Sequence, residues 1–174
     1  MKYLVKFFVV TFFLLVCTYS FAEQKIVVLD MKYVLNFSKA GKGAQDFLKQ
    51  SFTANQKKFS DIEQNLKKEE IDLLEKRTIL SKEEYTRKTD ALRKKVIDYQ
   101  SQRRASLDKI ATQRAKSRET LLKAIDPILN TYIKENNISL VIDKKDMLGG
   151  NPENDITQTI VKKLNEELPS LNLK

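Results

Sequence analysis

No histidine occurs anywhere in the 174 residues, and the single cysteine, Cys17, lies in an apolar stretch near the N-terminus. Without those two residue types, the usual zinc, haem and nucleophilic-triad arrangements lack ligands and bases. Proton transfer and nucleophilic attack are left to carboxylates, lysines and hydroxyls, and the sequence does not cluster them. Asp30 and Asp143 invite the closest look, because each closes a β-branched run: Lys25-Ile-Val-Val-Leu29 and Ile138-Ser-Leu-Val-Ile142. A carboxylate pair can share a proton or a cation, but a strand-terminating Asp more commonly accepts turn hydrogen bonds. The chemistry that remains is attraction and contact. Lys76, Arg77, Lys82, Arg87, Lys88, Arg93, Lys94 and Lys95 form a basic cluster suited to acidic proteins or anionic lipid headgroups, with steering that salt weakens. Phe52, Phe59, Tyr85 and Tyr99 supply aromatic surface for contact with a partner, and Phe47 is better placed to pack near a body. A solvated charge run and aromatics packed inside a hairpin are the plainer readings of the same residues. The sequence implies no enzyme, metal or cofactor.

The elements that position these groups are set by an absence. Residues 44–126 contain neither Gly nor Pro, 83 residues in succession. Those two residue types end helices, so a charged run lacking both reads as very long helix. Phe52, Phe59, Leu66, Leu73 and Leu80 recur at intervals of seven, and Tyr85, Leu92, Val96, Tyr99 and Ile110 continue the seam. Polar residues such as Asn55, Glu69, Thr89, Arg103, Ser106 and Ser117 interrupt it, so the expected coiled coil is weak.

One straight helix of that length would span roughly 125 Å at about 1.5 Å per residue. A hairpin with its tip near 76–82 is the better expectation. Ser81-Lys-Glu-Glu84 is a capping box that starts a second helix near the middle of the run. Charge agrees. Residues 44–75 carry five basic and seven acidic side chains, whereas residues 76–118 carry fourteen and five. An acidic arm folded on a basic one is favourable, though each exposed pair contributes only about 0.2–1 kcal/mol.

Residues 23–43 and 127–174 are expected to form a small β-containing association body. Ile26, Val28, Leu140, Ile142, Ile160 and Leu164 are its candidate core. Met31 to Asn36 can make a helical turn or two, with Val34, Leu35 and Phe37 inward, and Ser38-Lys-Ala-Gly41-Lys-Gly43 reads as a flexible joint before the arm. Asp126-Pro127 reads as an N-cap and first-turn Pro, hence a kink or a new short helix. Asn136-Asn137 can supply a left-handed C-cap. Asp155 is placed to cap a last helix whose stripe is Ile156, Ile160, Val161, Leu164 and Leu168. The fold class is therefore α+β, mostly α. So small a core favours oligomerisation.

Lys2 and Lys6, the apolar stretch Phe7–Val16 and Ser20-Phe-Ala22 have the order of a secretory signal cleaved after Ala22. The stretch is shorter than the roughly 20 residues of a membrane span, and Val16 before Cys17 argues against a lipid-attachment site. Cleavage leaves 30 basic against 23 acidic residues and no cysteine. The surplus suggests an anionic partner, and export makes nucleic acid the weakest of those choices.

With these residues in view, Lys25-Ile-Val-Val-Leu-Asp30, Val34-Leu-Asn36 and Ser38-Lys-Ala-Gly41 resemble the N-terminal signature of the Skp/OmpH periplasmic chaperones. Ile138-Ser-Leu-Val-Ile-Asp143, Asn151-Pro152 and Asp155-Ile-Thr157 resemble its C-terminal half; the arm agrees in length and character. Asn137 stands where relatives often have Gly. The resemblance implies a homotrimer whose helical hairpins surround a cavity that holds unfolded outer-membrane proteins without nucleotide. The main alternative is a coiled-coil spacer or adaptor of the cell envelope that binds a folded partner.

Overall fold

The structure, a computed structural model, describes residues 24–173, so the signal sequence expected at 1–22 lies outside the described residues. The elements follow in order as β1 (Lys25–Leu29), α1 (Met31–Phe37), α2 (Lys39–Glu75), a 3₁₀ turn (Lys76–Thr78), α3 (Lys82–Glu135), β2 (Ile138–Asp143) and α4 (Thr157–Glu167). Short 3₁₀ turns, Lys144–Asp146 and Pro152–Asn154, lie between β2 and α4.

Strands β1 and β2 pair in parallel, with Ile26 opposite Leu140 and Val28 opposite Ile142. Parallel neighbours need a long crossover, and the α2–α3 hairpin is that crossover. The far edge of β1 is taken by the start of α4: the Ile156 N–H donates to the Val28 carbonyl (2.9 Å), and the Asp30 N–H donates to Thr157 Oγ1 (2.9 Å). Val27, Leu29, Val34, Leu35, Leu121, Ile125, Ile128, Ile160 and Leu164 form one buried cluster beneath the sheet.

The two strand-end aspartates act as turn and cap residues. Asp30 accepts from the Tyr33 N–H (2.7 Å) at the start of α1, and Asp143 accepts from the Lys145 N–H (3.3 Å). Asp155 accepts from the Thr157 N–H (2.9 Å) as expected of a cap, although the helix itself begins one residue later, with Ile156 at the cap position. Burial pushes the Asp155 carboxyl up, but hydrogen bonds from Lys144 and Thr157 outweigh burial and hold it below the usual carboxylate range. Asn137 has φ 51°, the left-handed conformation foreseen for it.

Three expectations are corrected. Ser38 to Gly43 is not a flexible joint, because α2 already starts at Lys39 with Ser38 as its cap. The Ser38 hydroxyl accepts from the Gly41 N–H (3.2 Å), and the side chain is fully buried. Pro127 does not begin a new helix: α3 runs through it from Lys82 to Glu135. Pro inside a helix forfeits a hydrogen bond and costs about 3 kcal/mol. Ile125 and Ile128, on either side of it, are both buried in the core, and each stabilises the continuous helix by about 1.5–3 kcal/mol. Phe37 faces solvent and stacks on Tyr33 at 4.6 Å between ring centroids.

Candidate functional site

Helix α2 is about 55 Å long and α3 about 80 Å, so the hairpin dominates the shape. Its turn falls where the capping box predicts, with the Ser81 hydroxyl accepting from the Glu84 N–H (3.2 Å). Only Phe59 and Ile110 are fully buried along the outer two-thirds of the seam; Ile62, Leu66, Leu73, Leu92 and Val96 are half-buried. Polar bonds supplement that thin contact. Lys95 Nζ reaches Glu69 at 2.6 Å, and the Tyr99 hydroxyl donates to Glu63 at 3.0 Å. Burial first, and then the hydrogen bond to the Glu63 carboxylate, pushes the Tyr99 hydroxyl above its ordinary value.

The four aromatic candidates separate. Phe59 is 6% exposed and meets the Tyr99 ring edge-on at 6.0 Å, so it is spent inside the hairpin. Tyr99 and Tyr85 are half-buried, and Phe52 is open to solvent at 49% exposure. Phe47, expected to pack near the body, is half-buried.

The basic cluster also divides. Lys76 pairs with Asp72, Lys88 with Glu84 and Arg93 with Asp90 along single helices, while Lys95 bridges the two arms. Arg77, Lys82, Arg87 and Lys94 are exposed cations outside those pairs. Of the candidate core residues, Val28, Ile160 and Leu164 are buried and Ile142 is half-buried. Ile26 and Leu140 are corrected: they stand side by side in register at 41% and 51% exposure, on the sheet face that the chain's own helices leave open.

Residue-level reasoning missed a set of exposed apolar side chains. Leu74, Ile79 and Ile97 stand in water next to half-buried Leu73, Leu80 and Val96. The signal was present in the doubled apolar pairs Leu73-Leu74, Ile79-Leu80 and Val96-Ile97, because only one member of such a pair can face the other arm. Ile79, at the tip, is 81% exposed. Scattered apolar surface along a charged, weakly packed hairpin can make many shallow contacts. Among the described residues no group of acidic side chains is arranged to hold a metal ion, and no helix is long and apolar enough to cross a membrane.

This geometry has known counterparts. Residues 25–164 match the family model described as outer membrane protein (OmpH-like). The chain therefore belongs to the Skp/OmpH-like family of outer-membrane chaperones, the family its two ends resemble. Its fold is similar to the crystal structure of an OmpH-like candidate outer membrane chaperone from Caulobacter crescentus, with a TM-score of 0.80 at 16% identity over 90% of this chain and 93% of that one. At that identity the likeness speaks for the fold. No curated protein matches the sequence.

Proposed function

We propose that the chain is an ATP-independent periplasmic holdase that binds unfolded outer-membrane proteins between the helical arms of a homotrimer and keeps them from aggregating. The observation that carries this reading is the scatter of exposed apolar side chains, Leu74, Ile79 and Ile97 among them, on long arms rich in charge. Weak contacts spread over a long, shallow surface suit many client sequences and permit release without an energy source. The body supports assembly: an open sheet face carrying Ile26 and Leu140 is apolar surface that further copies would cover. Export through a cleaved signal at residues 1–22 supplies the periplasmic setting. At the tip, Ile79 between Arg77 and Lys82 suits the headgroup layer of an anionic lipid or lipopolysaccharide surface.

The unpaired cations identify the variant to test. Reversing Lys95 would also set two acidic groups against each other across the arms, because it bridges to Glu69. Arg77→Glu/Arg87→Glu/Lys94→Glu leaves that bridge alone. In stopped-flow mixing with a urea-diluted acidic outer-membrane protein and no nucleotide, the unmodified chain is expected to capture the client at a rate that falls as salt rises. The triple variant is expected to capture it about tenfold more slowly at low salt, with the difference closing near 0.5 M salt. No capture by the unmodified chain contradicts the holdase reading; equal rates at low salt remove the role of the basic face.

A further inference from the structure

At the base of the hairpin the arms part around a cleft of about 740 Å³, between the end of α1 and the facing turns of α2 and α3. Small residues make the room. Ala44 on α2 and Ser117 on α3 face the space, and the Ser117 hydroxyl is spent on its own helix, donating to the Gln113 carbonyl (2.7 Å). The floor is apolar, with Leu48, Ile110 and Leu121 all buried. The rim is cationic: Lys49 on α2, and Arg114 and Arg118 one turn apart on α3, against the single carboxylate of Asp46. The side chains of Lys49, Arg114 and Arg118 make no ion pair or hydrogen bond among the described residues. Phe52, exposed, lies at the distal end of the same cleft.

An apolar floor under three uncommitted cations is complementary to a ligand with an apolar face and carboxylates beside it. Strands of outer-membrane barrels alternate apolar and polar side chains, so an extended client segment presents that pattern over a few residues. We propose that this cleft is a defined client subsite, taking a short extended segment in which bulky apolar residues alternate with Glu or Asp. The apolar side chains occupy the floor, and the flanking carboxylates are held by Arg114, Arg118 and Lys49. The proposal rests on the chaperone reading and adds a sequence preference to it, so clients would be held at one place as well as along the arms.

The test uses the full chain and fluorescein-labelled decapeptides in anisotropy titrations: one alternating Val or Phe with Glu, and one identical except for Gln in place of Glu. The Glu peptide is expected to bind about tenfold more tightly than the Gln peptide, and Arg114→Gln/Arg118→Gln to erase that difference. Lys49→Gln, on the other arm, is expected to weaken the Glu peptide on its own, which covers the case in which the double variant misfolds. Equal binding of the two peptides, or no effect of either variant, overturns the proposal. So does stoichiometric binding of laurate without binding of the Glu peptide, which would make the cleft a lipid-chain site. Suppression of barrel-protein aggregation in the same preparations separates the two claims. Suppression without peptide binding removes the cleft and leaves the holdase, whereas its absence removes the holdase reading itself.

Discussion

Gly41→Ala is expected to destabilise the protein by about 1–3 kcal/mol, although Gly to Ala inside a helix ordinarily stabilises by about 0.5–1 kcal/mol. The reversal comes from the corner between α1 and α2. A Cβ on Gly41 would fall 2.0 Å from the Leu35 carbonyl oxygen and 2.9 Å from its carbon. Those are backbone atoms of a buried residue, so no rotamer change relieves the clash; α1 would have to separate from α2. Gly43 is the control, because its Cβ would meet nothing within 4 Å. Gly43→Ala is therefore expected to raise stability by about 0.5–1 kcal/mol. Urea unfolding followed by helicity measures both. Equal gains for the two variants would mean that the corner opens freely and that the close approach is unimportant.

The second large effect lies in the body. Leu164 is fully buried against the sheet and the foot of α3, and Leu164→Ala is expected to cost about 2–5 kcal/mol. A domain with total stability of about 5–15 kcal/mol cannot absorb that unnoticed. The arms contribute little to the same ledger, because their seam is half-buried. The urea midpoint should fall sharply, and the helix signal should be lost together with the body, because arms so thinly packed do not stay helical alone. Leu148→Ala is the contrast: that side chain is 110% exposed in the loop after β2, so the substitution should leave the single chain's stability unchanged. A drop of equal size for both variants would contradict this placement of the core.

The parts of the fold legible in the sequence are those fixed by local chemistry. The absence of Gly and Pro over residues 44–126, the capping box at Ser81 and the stripe Ile156-Ile160-Val161-Leu164 each appear where their periodicity or spacing puts them. Gly41 and Pro127 misled for a shared reason. Both residues usually break helices, and here tertiary contacts override the propensity: a tight α1–α2 approach at Gly41, and the buried pair Ile125 and Ile128 around Pro127. The candidate site was less legible. A heptad pattern says which residues are apolar at seam spacing, yet burial depends on how closely the two arms approach. Phe59 is consequently buried while Phe52, one heptad earlier, stands in water where the arms part. Ile26 and Leu140 show the same limit in the body, since alternation assigns them to one sheet face without saying what covers it.

The central claim, that the arms hold unfolded outer-membrane protein without an energy source, is tested most directly by light scattering. A urea-unfolded outer-membrane β-barrel protein is diluted near physiological salt into buffer containing the chain from residue 23 onward, with no nucleotide present. The account predicts that scattering is suppressed at or below one assembled chaperone per client. Unchanged scattering from a chain that is demonstrably folded and oligomeric would contradict it, and would turn attention to a folded partner in the cell envelope.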